Sequence, residues 1–302
     1  MINLLNTFLN GITSGAIYSL MAISMVLVWR STRVVNFAQA GMALLSCYFG
    51  YEAVQRTGSF WIGLVVAMIA GALVAAVIEF GFMRILLKHS SQGPIASVAP
   101  IIATLGLLGL IKGVIGLVWG NADVVIEPPF SVVGFTIGEN TLTFSPLKLL
   151  TLVTVTVLLL IMTWLFQRTN LGLALRASAH EPEISRLAGV KVDLVRTLGW
   201  ALAGAAGAAA GMLQAITGSG GMNPDSIEFR LLLVFGFIAA VIGGLDSMIG
   251  ALVGGLILGL VLAFTLTYIS GSLVFITAFV LLLVLLIVRP QGVIGQKAGR
   301  RA

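Results

Sequence analysis

Asn36 and Gln39 stand three positions apart in a charge-free stretch, residues 34–51, that also holds Ser46, Tyr48 and Tyr51. Side-chain amides donate and accept hydrogen bonds without carrying charge. The pair therefore suits weak contacts to a small polar solute, or the satisfaction of backbone groups where a helix is interrupted. Facing hydrocarbon they would be costly, so they must point into protein or a polar path. Ser14 and Tyr18, one helical turn apart in the preceding apolar run, supply the hydroxyls expected to line the same route. Two ionisable residues fall inside apolar runs. Glu79 precedes Arg84 by five positions, about 7.5 Å along a helix, which puts it at an interface, with a proton relay as the alternative. Lys112 lies among Gly106, Gly109, Gly113 and Gly116, and its stem can carry the ammonium outward.

Much other chemistry is missing. The two histidines, His89 and His180, both fall on the side that the charge pattern makes cytoplasmic. Neither a His-ligated metal nor a Ser–His pair is expected within the apolar runs, and no catalytic residue or metal ligand is assigned. No Gly-Lys pair occurs, so the chain lacks a phosphate-binding loop, and ATP and Mg must be handled by another polypeptide. Gly218-Ser219-Gly220 reads as a loop before Asn223-Pro224 rather than as a nucleophile. The single Cys47 forms no intrachain disulfide.

These residues are set in a chain of 302 with 17 Lys and Arg, 11 Asp and Glu, 59% apolar residues and 36 glycines. Charged residues make up 9%, against about a quarter in a soluble domain. No water-facing surface can be built from that, which excludes a soluble enzyme, a secreted disulfide scaffold and a nucleic-acid binder. The net charge of +6 is what membrane topology requires. The composition predicts an all-α polytopic membrane protein, with residues 1–302 forming a single transmembrane domain in the lipid bilayer.

A bilayer crossing needs about 20 mainly apolar residues. Runs 1–29, 57–78, 89–111, 149–167 and 197–224 each hold one helix, and 247–288 holds two joined at Ser270-Gly271-Ser272. The shorter runs 34–51 and 231–245 are each either a full crossing or a broken, re-entrant segment. With all nine counted and the N-terminus outside, thirteen of the 17 Lys and Arg fall inside, Arg56, Lys148 and Arg230 outside, and Lys112 within a span. Basic residues gather on the cytoplasmic side, so about nine helices, an external N-terminus and a cytoplasmic tail, 289–302, are expected. The first 29 residues carry no charge and lack the basic region of a signal peptide, so the first helix is expected to stay.

The largest outer loop, 120–146, contains Pro128-Pro129, and its runs 130–137 and 141–144 flank Gly138-Glu139-Asn140 as a short periplasmic hairpin. It serves as a docking surface for an external partner or as a cap over helix ends. The inner loop, 168–196, holds a helix. Pro182 suits its first position and Gly189 its C-terminal cap, while Ile184, Leu187 and Ala188 share a face away from Glu183, Ser185 and Arg186. That helix is either a cytoplasmic lever or an interfacial helix on lipid headgroups.

Four stretches follow one another along the chain: Gly15-Ala-Ile-Tyr-Ser-Leu20 with Val35-Asn-Phe-Ala-Gln-Ala-Gly41; Gly172-Leu-Ala-Leu-Arg-Ala177 through Ser185-Arg-Leu-Ala-Gly-Val190; the glycine-rich run from Gly243 to Gly259; and Arg289-Pro-Gln-Gly-Val-Ile-Gly295. Together they resemble the signatures of the inner-membrane permeases of branched-chain amino acid ABC importers. Ala40 stands where that family commonly has Gly, and Leu262 where many members carry Glu. The resemblance implies a multi-pass transport subunit of a bacterial or other prokaryotic inner membrane, not an enzyme. It would take branched-chain or related amino acids from a periplasmic substrate-binding protein and pair with a second homologous permease. Two ATP-binding cassette subunits would carry the ATP and Mg. The cytoplasmic run is similar to the loop by which these permeases contact their ATPases, which assigns Arg176, Glu183, Ile184, Arg186, Leu187, Ala188 and Gly189 to coupling. Ser14, Tyr18, Asn36 and Gln39 remain the expected translocation path. Relatives moving urea, short amides or other small polar solutes are the alternative within the family. An ion-coupled secondary carrier and an intramembrane enzyme are the rivals from other classes.

Overall fold

The computed structural model describes residues 2–89, 98–137, 140–218 and 221–294. Charge-poor runs become helices because a helix satisfies every interior backbone group within its own segment, as hydrocarbon demands. The helices are α1 (Ile2–Thr32), α2 (Gln39–Thr57), α3 (Phe60–Ile78), α4 (Arg84–His89), α5 (Ala99–Val118), α6 (Pro146–Arg168), α7 (Asn170–His180), α8 (Pro182–Leu187), α9 (Val192–Thr217), α10 (Ile227–Gly243), α11 (Met248–Tyr268) and α12 (Val274–Val288). A π-helical turn, Glu79–Met83, makes α3 and α4 one continuous rod. Seven of these rods are long and apolar enough to cross a membrane: α1, α3 through α4, α5, α6, α9, α11, and α12 with the turn before it. They fall on the seven longer runs of the sequence. The two shorter runs overlap helices of 19 and 17 residues, α2 and α10, about 28 and 26 Å long, but residues 34–38 at the start of the first run are non-helical. Near the other end of the 120–146 segment, Thr136–Ile137 (β1) pairs antiparallel with Asn140–Thr141 (β2). Gly138 and Glu139 of the expected turn, and the tail with Lys297, Arg300 and Arg301, lie outside the described residues.

Contacts divide the chain into two compact units. The first comprises Met1–Val26, Phe130–Val157 and Val234–Ala302. Its centre is the approach of α1 to α11 along small residues. A Cβ on Gly11 would stand 2.9 Å from the Leu260 Cα, and one on Gly15 2.9 Å from the Gly255 carbonyl oxygen. In lipid, where apolar surface alone does not drive helices together, such close backbone packing and interhelical hydrogen bonds do so. The Ser19 hydroxyl lies 2.8 Å from the Leu252 carbonyl of α11 and 2.8 Å from the Gly15 carbonyl. Two of the glycine-bearing motifs meet in this unit. Gly292, at φ 83°, folds against Gly244, and Val293 N–H donates to the Ile242 carbonyl at 2.8 Å.

The second unit comprises Leu27–Pro129 and Leu158–Leu233. Its core is α2, α3 and α9. Gly50 faces the Gly63 carbonyl of α3, where a Cβ would stand at 2.9 Å, and Gly71 faces the Gly204 carbonyl of α9 at 2.5 Å. Trp200, Tyr48, Met212 and Leu213 are fully buried around these contacts. Val124 and Met222 exchange backbone hydrogen bonds of 2.9 and 2.7 Å, tying the start of the 120–146 segment to the turn before α10.

Candidate translocation and coupling site

α1 ends where Arg33 turns left-handed at φ 55°, alone among the described non-glycine residues in doing so. The chain reverses there, and residues 34–38 return as non-helical backbone before α2 begins. Their depth is given by α9. Gly199 backs onto Ser31, whereas the Gln39 Nε2 donates to the Ala203 carbonyl at 3.2 Å. Ala203 is one turn further, about 6 Å, near the middle of α9. Irregular backbone at membrane depth survives only where protein covers it or a cavity receives it. Here the side chains meet that demand. Asn36 is 1% and Gln39 0% exposed. The Asn36 Oδ1 accepts from Ala38 N–H at 3.0 Å, its Nδ2 donates to the Gln39 Oε1 at 3.1 Å, and Phe37 N–H donates to the Thr104 hydroxyl of α5 at 3.3 Å. The result is an uncharged polar knot where α2 opens, joined to α5 and α9.

The 168–196 segment folds into two short helices, α7 and α8, rather than one. α7 is the helix that the sequence reading missed. Its start signal is Thr169, whose hydroxyl accepts from Gly172 N–H at 3.2 Å, followed by good helix formers. Arg176 of α7 donates to the Phe166 carbonyl and so closes the end of α6. α8 follows with Pro182 in its first turn, and Gly189, at φ 85°, ends it as expected. Ser185 is buried, while Ile184 is 62% and Leu187 89% exposed. Glu183, Ala188 and Gly189 are also exposed. Of the seven residues assigned to coupling, Arg176 and Arg186 are engaged within the chain, and Glu183, Ala188 and Gly189 are exposed with the apolar patch of Ile184 and Leu187.

Arg186 of α8 pairs with Asp193, in the first turn of α9, at 3.4 Å. One turn on, Thr197 meets Glu79 and Arg84. Glu79 is fully buried, and both its oxygens are taken by Arg84, at 2.8 Å from Nη2 and 3.3 Å from Nε. Its Oε2 also lies 2.6 Å from the Thr197 hydroxyl. Arg84 Nη2 donates to the Asp193 carbonyl at 3.0 Å, and its guanidinium stands over the Phe80 ring at 5.0 Å. The wider turn at Glu79–Met83 brings carboxylate and guanidinium together from residues five apart. α8, α9 and the α3–α4 rod are thereby joined by charged contacts, and the same α9 bears Ala203 at the amide knot. Lys112 reaches Asp225 at 3.1 Å.

The remaining expected path residues, Ser14 and Tyr18, belong to the first unit. They share one face of α1 and are half-buried, and the Tyr18 ring packs on Phe235 at 5.2 Å. The structure brings Asn36 and Gln39 into direct contact. It describes no side chain for His89 or His180.

Comparison with known proteins places the chain. The family model described as "Branched-chain amino acid transport system / permease component" matches residues 7–288. The high-affinity branched-chain amino acid transport system permease protein BraD of Pseudomonas aeruginosa is 27% identical over 97% of this chain and 96% of its own length. The corresponding permease protein LivH of Escherichia coli is 27% identical over the same shares, 97% and 96%. A putative glucose ABC transporter permease of Haloferax volcanii is 30% identical over 66% of this chain and 61% of its own. These relatives are transport permeases, not enzymes. The apolar helices and the match across nearly all of the chain together establish that this membrane protein belongs to the permease component family of branched-chain amino acid transport systems.

Proposed function

We propose that the chain is the transmembrane subunit of an ATP-driven importer for branched-chain or related amino acids. It crosses a prokaryotic inner membrane nine times, N-terminus outside and α8 in the cytoplasm. The observation that carries the ATP-driven part is the patch of Ile184 and Leu187, exposed on a helix that is otherwise anchored by buried Ser185 and by the Arg186–Asp193 pair. An apolar surface of this kind outside the bilayer calls for a protein cover, and an ATPase subunit is the cover assigned to it. A second homologous permease, two ATP-binding cassette subunits and a periplasmic substrate-binding protein complete the machine, with ATP and Mg on the cassettes. A zwitterionic solute with an apolar tail suits a route lined by neutral amides and hydroxyls, so Asn36, Gln39, Ser14 and Tyr18 make weak contacts while the external protein supplies affinity.

The test is uptake into proteoliposomes containing the complete complex. Leucine, isoleucine or valine accumulates when ATP is enclosed and the binding protein is outside, and does not accumulate on an ion gradient alone. Gradient-driven uptake by this chain by itself would make it a secondary carrier instead. The second reading, another small polar solute, draws on the Haloferax volcanii relative named for glucose. Competition of labelled leucine uptake by urea, short amides and glucose separates the two.

A further inference from the structure

Lys112 is the one ionisable residue of α5, and it stands two turns inside the end of that helix at Val118. An ionisable group inside a spanning helix points to function and calls for a named partner. The partner is Asp225, in the turn before α10, at 3.1 Å. Asp225 is held from a second side, because Arg230 Nη2 donates to its backbone carbonyl at 3.0 Å. Its side chain nevertheless remains 89% exposed, so the carboxylate is tethered by Lys112 without being sealed in.

Lys112 and Arg230 also line a crevice between α2, α5 and the first turns of α10, and Asp225 stands between two of its lining residues, Pro224 and Ser226, in the chain. Its apolar lining is Leu44, Leu108, Phe229 and Leu233, with Ala40 and Gly41. Ala40 and Gly41 directly follow Gln39 of the amide knot in the chain. Gly41 packs closely here, since a Cβ there would stand 2.7 Å from Leu108 Cδ1 and would have to displace that methyl. Ser226 also lines it, and the Ser226 hydroxyl oxygen is buried with no hydrogen-bond partner. A buried hydroxyl without a partner calls for an explanation, and a ligand that reaches it supplies one. The closed crevice has room for about 20 Å³, enough for one water.

We propose that this crevice is the site that receives the head of the substrate, an α-amino acid with an apolar side chain: Lys112 and Arg230 take the carboxylate, Asp225 takes the ammonium, and the apolar tail enters among Leu44, Leu108, Phe229 and Leu233. The Lys112–Asp225 pair closes the crevice when no substrate is there. A zwitterion offers each of the two residues a replacement for the partner it gives up, which neither a neutral sugar nor an inorganic ion does. Opening therefore leaves no charge unpaired, and the selectivity arises in the exchange. The Ser226 hydroxyl gains its missing partner in the carboxylate.

This inference rests on the proposed function, and one experiment separates their failures. The complete complex is reconstituted with Lys112→Met, Asp225→Asn, the double variant Lys112→Met/Asp225→Asn, or Lys112→Arg, and ATP-dependent uptake of labelled leucine is measured per folded complex. Recognition predicts a loss of about tenfold or more in each neutral single variant and at least as large a loss in the double. Lys112→Arg, which keeps the positive charge, recovers at least a third of wild-type uptake. If the pair were only a structural tie, the double variant, which leaves no unpaired ion, would return toward the wild-type rate; that result overturns the proposal. Wild-type rates in both single variants overturn it as well. A wild-type complex that takes up no branched-chain amino acid with ATP overturns the proposed function and this site together.

Discussion

The amide knot and the surface of α8 satisfy their groups in opposite ways. At the knot, polar side chains are buried and find their partners within the chain: Asn36 on Ala38 and Gln39, Gln39 on Ala203, and Phe37 on Thr104. On α8, apolar side chains are exposed and find none there, with Leu187 at 89% exposure. The knot holds a non-helical turn at the level of Ala203, where water is scarce and an unmet hydrogen bond is costly. Ile184 and Leu187 of the α8 patch are left exposed by the described residues of the second unit. Substitutions at the first should act through folding, and those at the second through assembly with another protein. Between them run α9 and the Glu79–Arg84–Thr197 contacts, which belong with the knot in being fully partnered.

The largest stability effect is expected at Arg84. Arg84→Leu leaves the carboxylate of Glu79 buried and unpaired, at a cost of about 3–5 kcal/mol. Because Cys47 is fully buried, its reaction with a thiol dye on heating in detergent reports unfolding, and the midpoint should fall steeply. An unchanged midpoint would break the claim that this pair is structural. Next in size is Asn36→Leu/Gln39→Leu. Loss of a cap and of partnered amides amounts to about 2–3 kcal/mol, and uptake should drop about tenfold while the ATPases still bind. Wild-type uptake would leave the amides a purely structural role. Thr169→Ala removes the cap of α7 and should lower stability by about 1 kcal/mol, read by the same dye. Leu187→Asp should change the stability by less than about 0.5 kcal/mol, since Leu187 is 89% exposed.

What the sequence made legible follows from which signals are local. The helices of the seven longer runs were readable because lipid imposes a composition on each segment by itself. α8 was readable because Pro182 and Gly189 mark its ends within a few residues of each other. Asn36 and Gln39 stood out as amides in a charge-free run, yet the contact of Gln39 to Ala203, and that of the neighbouring Phe37 N–H to Thr104, link residues far apart in the chain, which no spacing announces. The same holds for Glu79 with Thr197 and for Lys112 with Asp225, separated by more than a hundred positions in each case. α7 went unread for a different reason. Its residues lie in the polar loop where charges drew attention to membrane sidedness, and its signal, a threonine followed by helix formers, is weak without the fold around it.

If ATP hydrolysis is coupled to transport through the α8 patch, Leu187→Asp in the complete complex must break that coupling. Leucine taken up per ATP hydrolysed is measured in proteoliposomes, alongside the amount of ATPase subunit retained on purification. The account predicts that the chain remains folded, with Cys47 protected as in the wild type, and that it either loses its ATPase subunits or hydrolyses ATP without uptake. Retained ATPases with the wild-type ratio of leucine to ATP would contradict it and return α8 to the lipid surface.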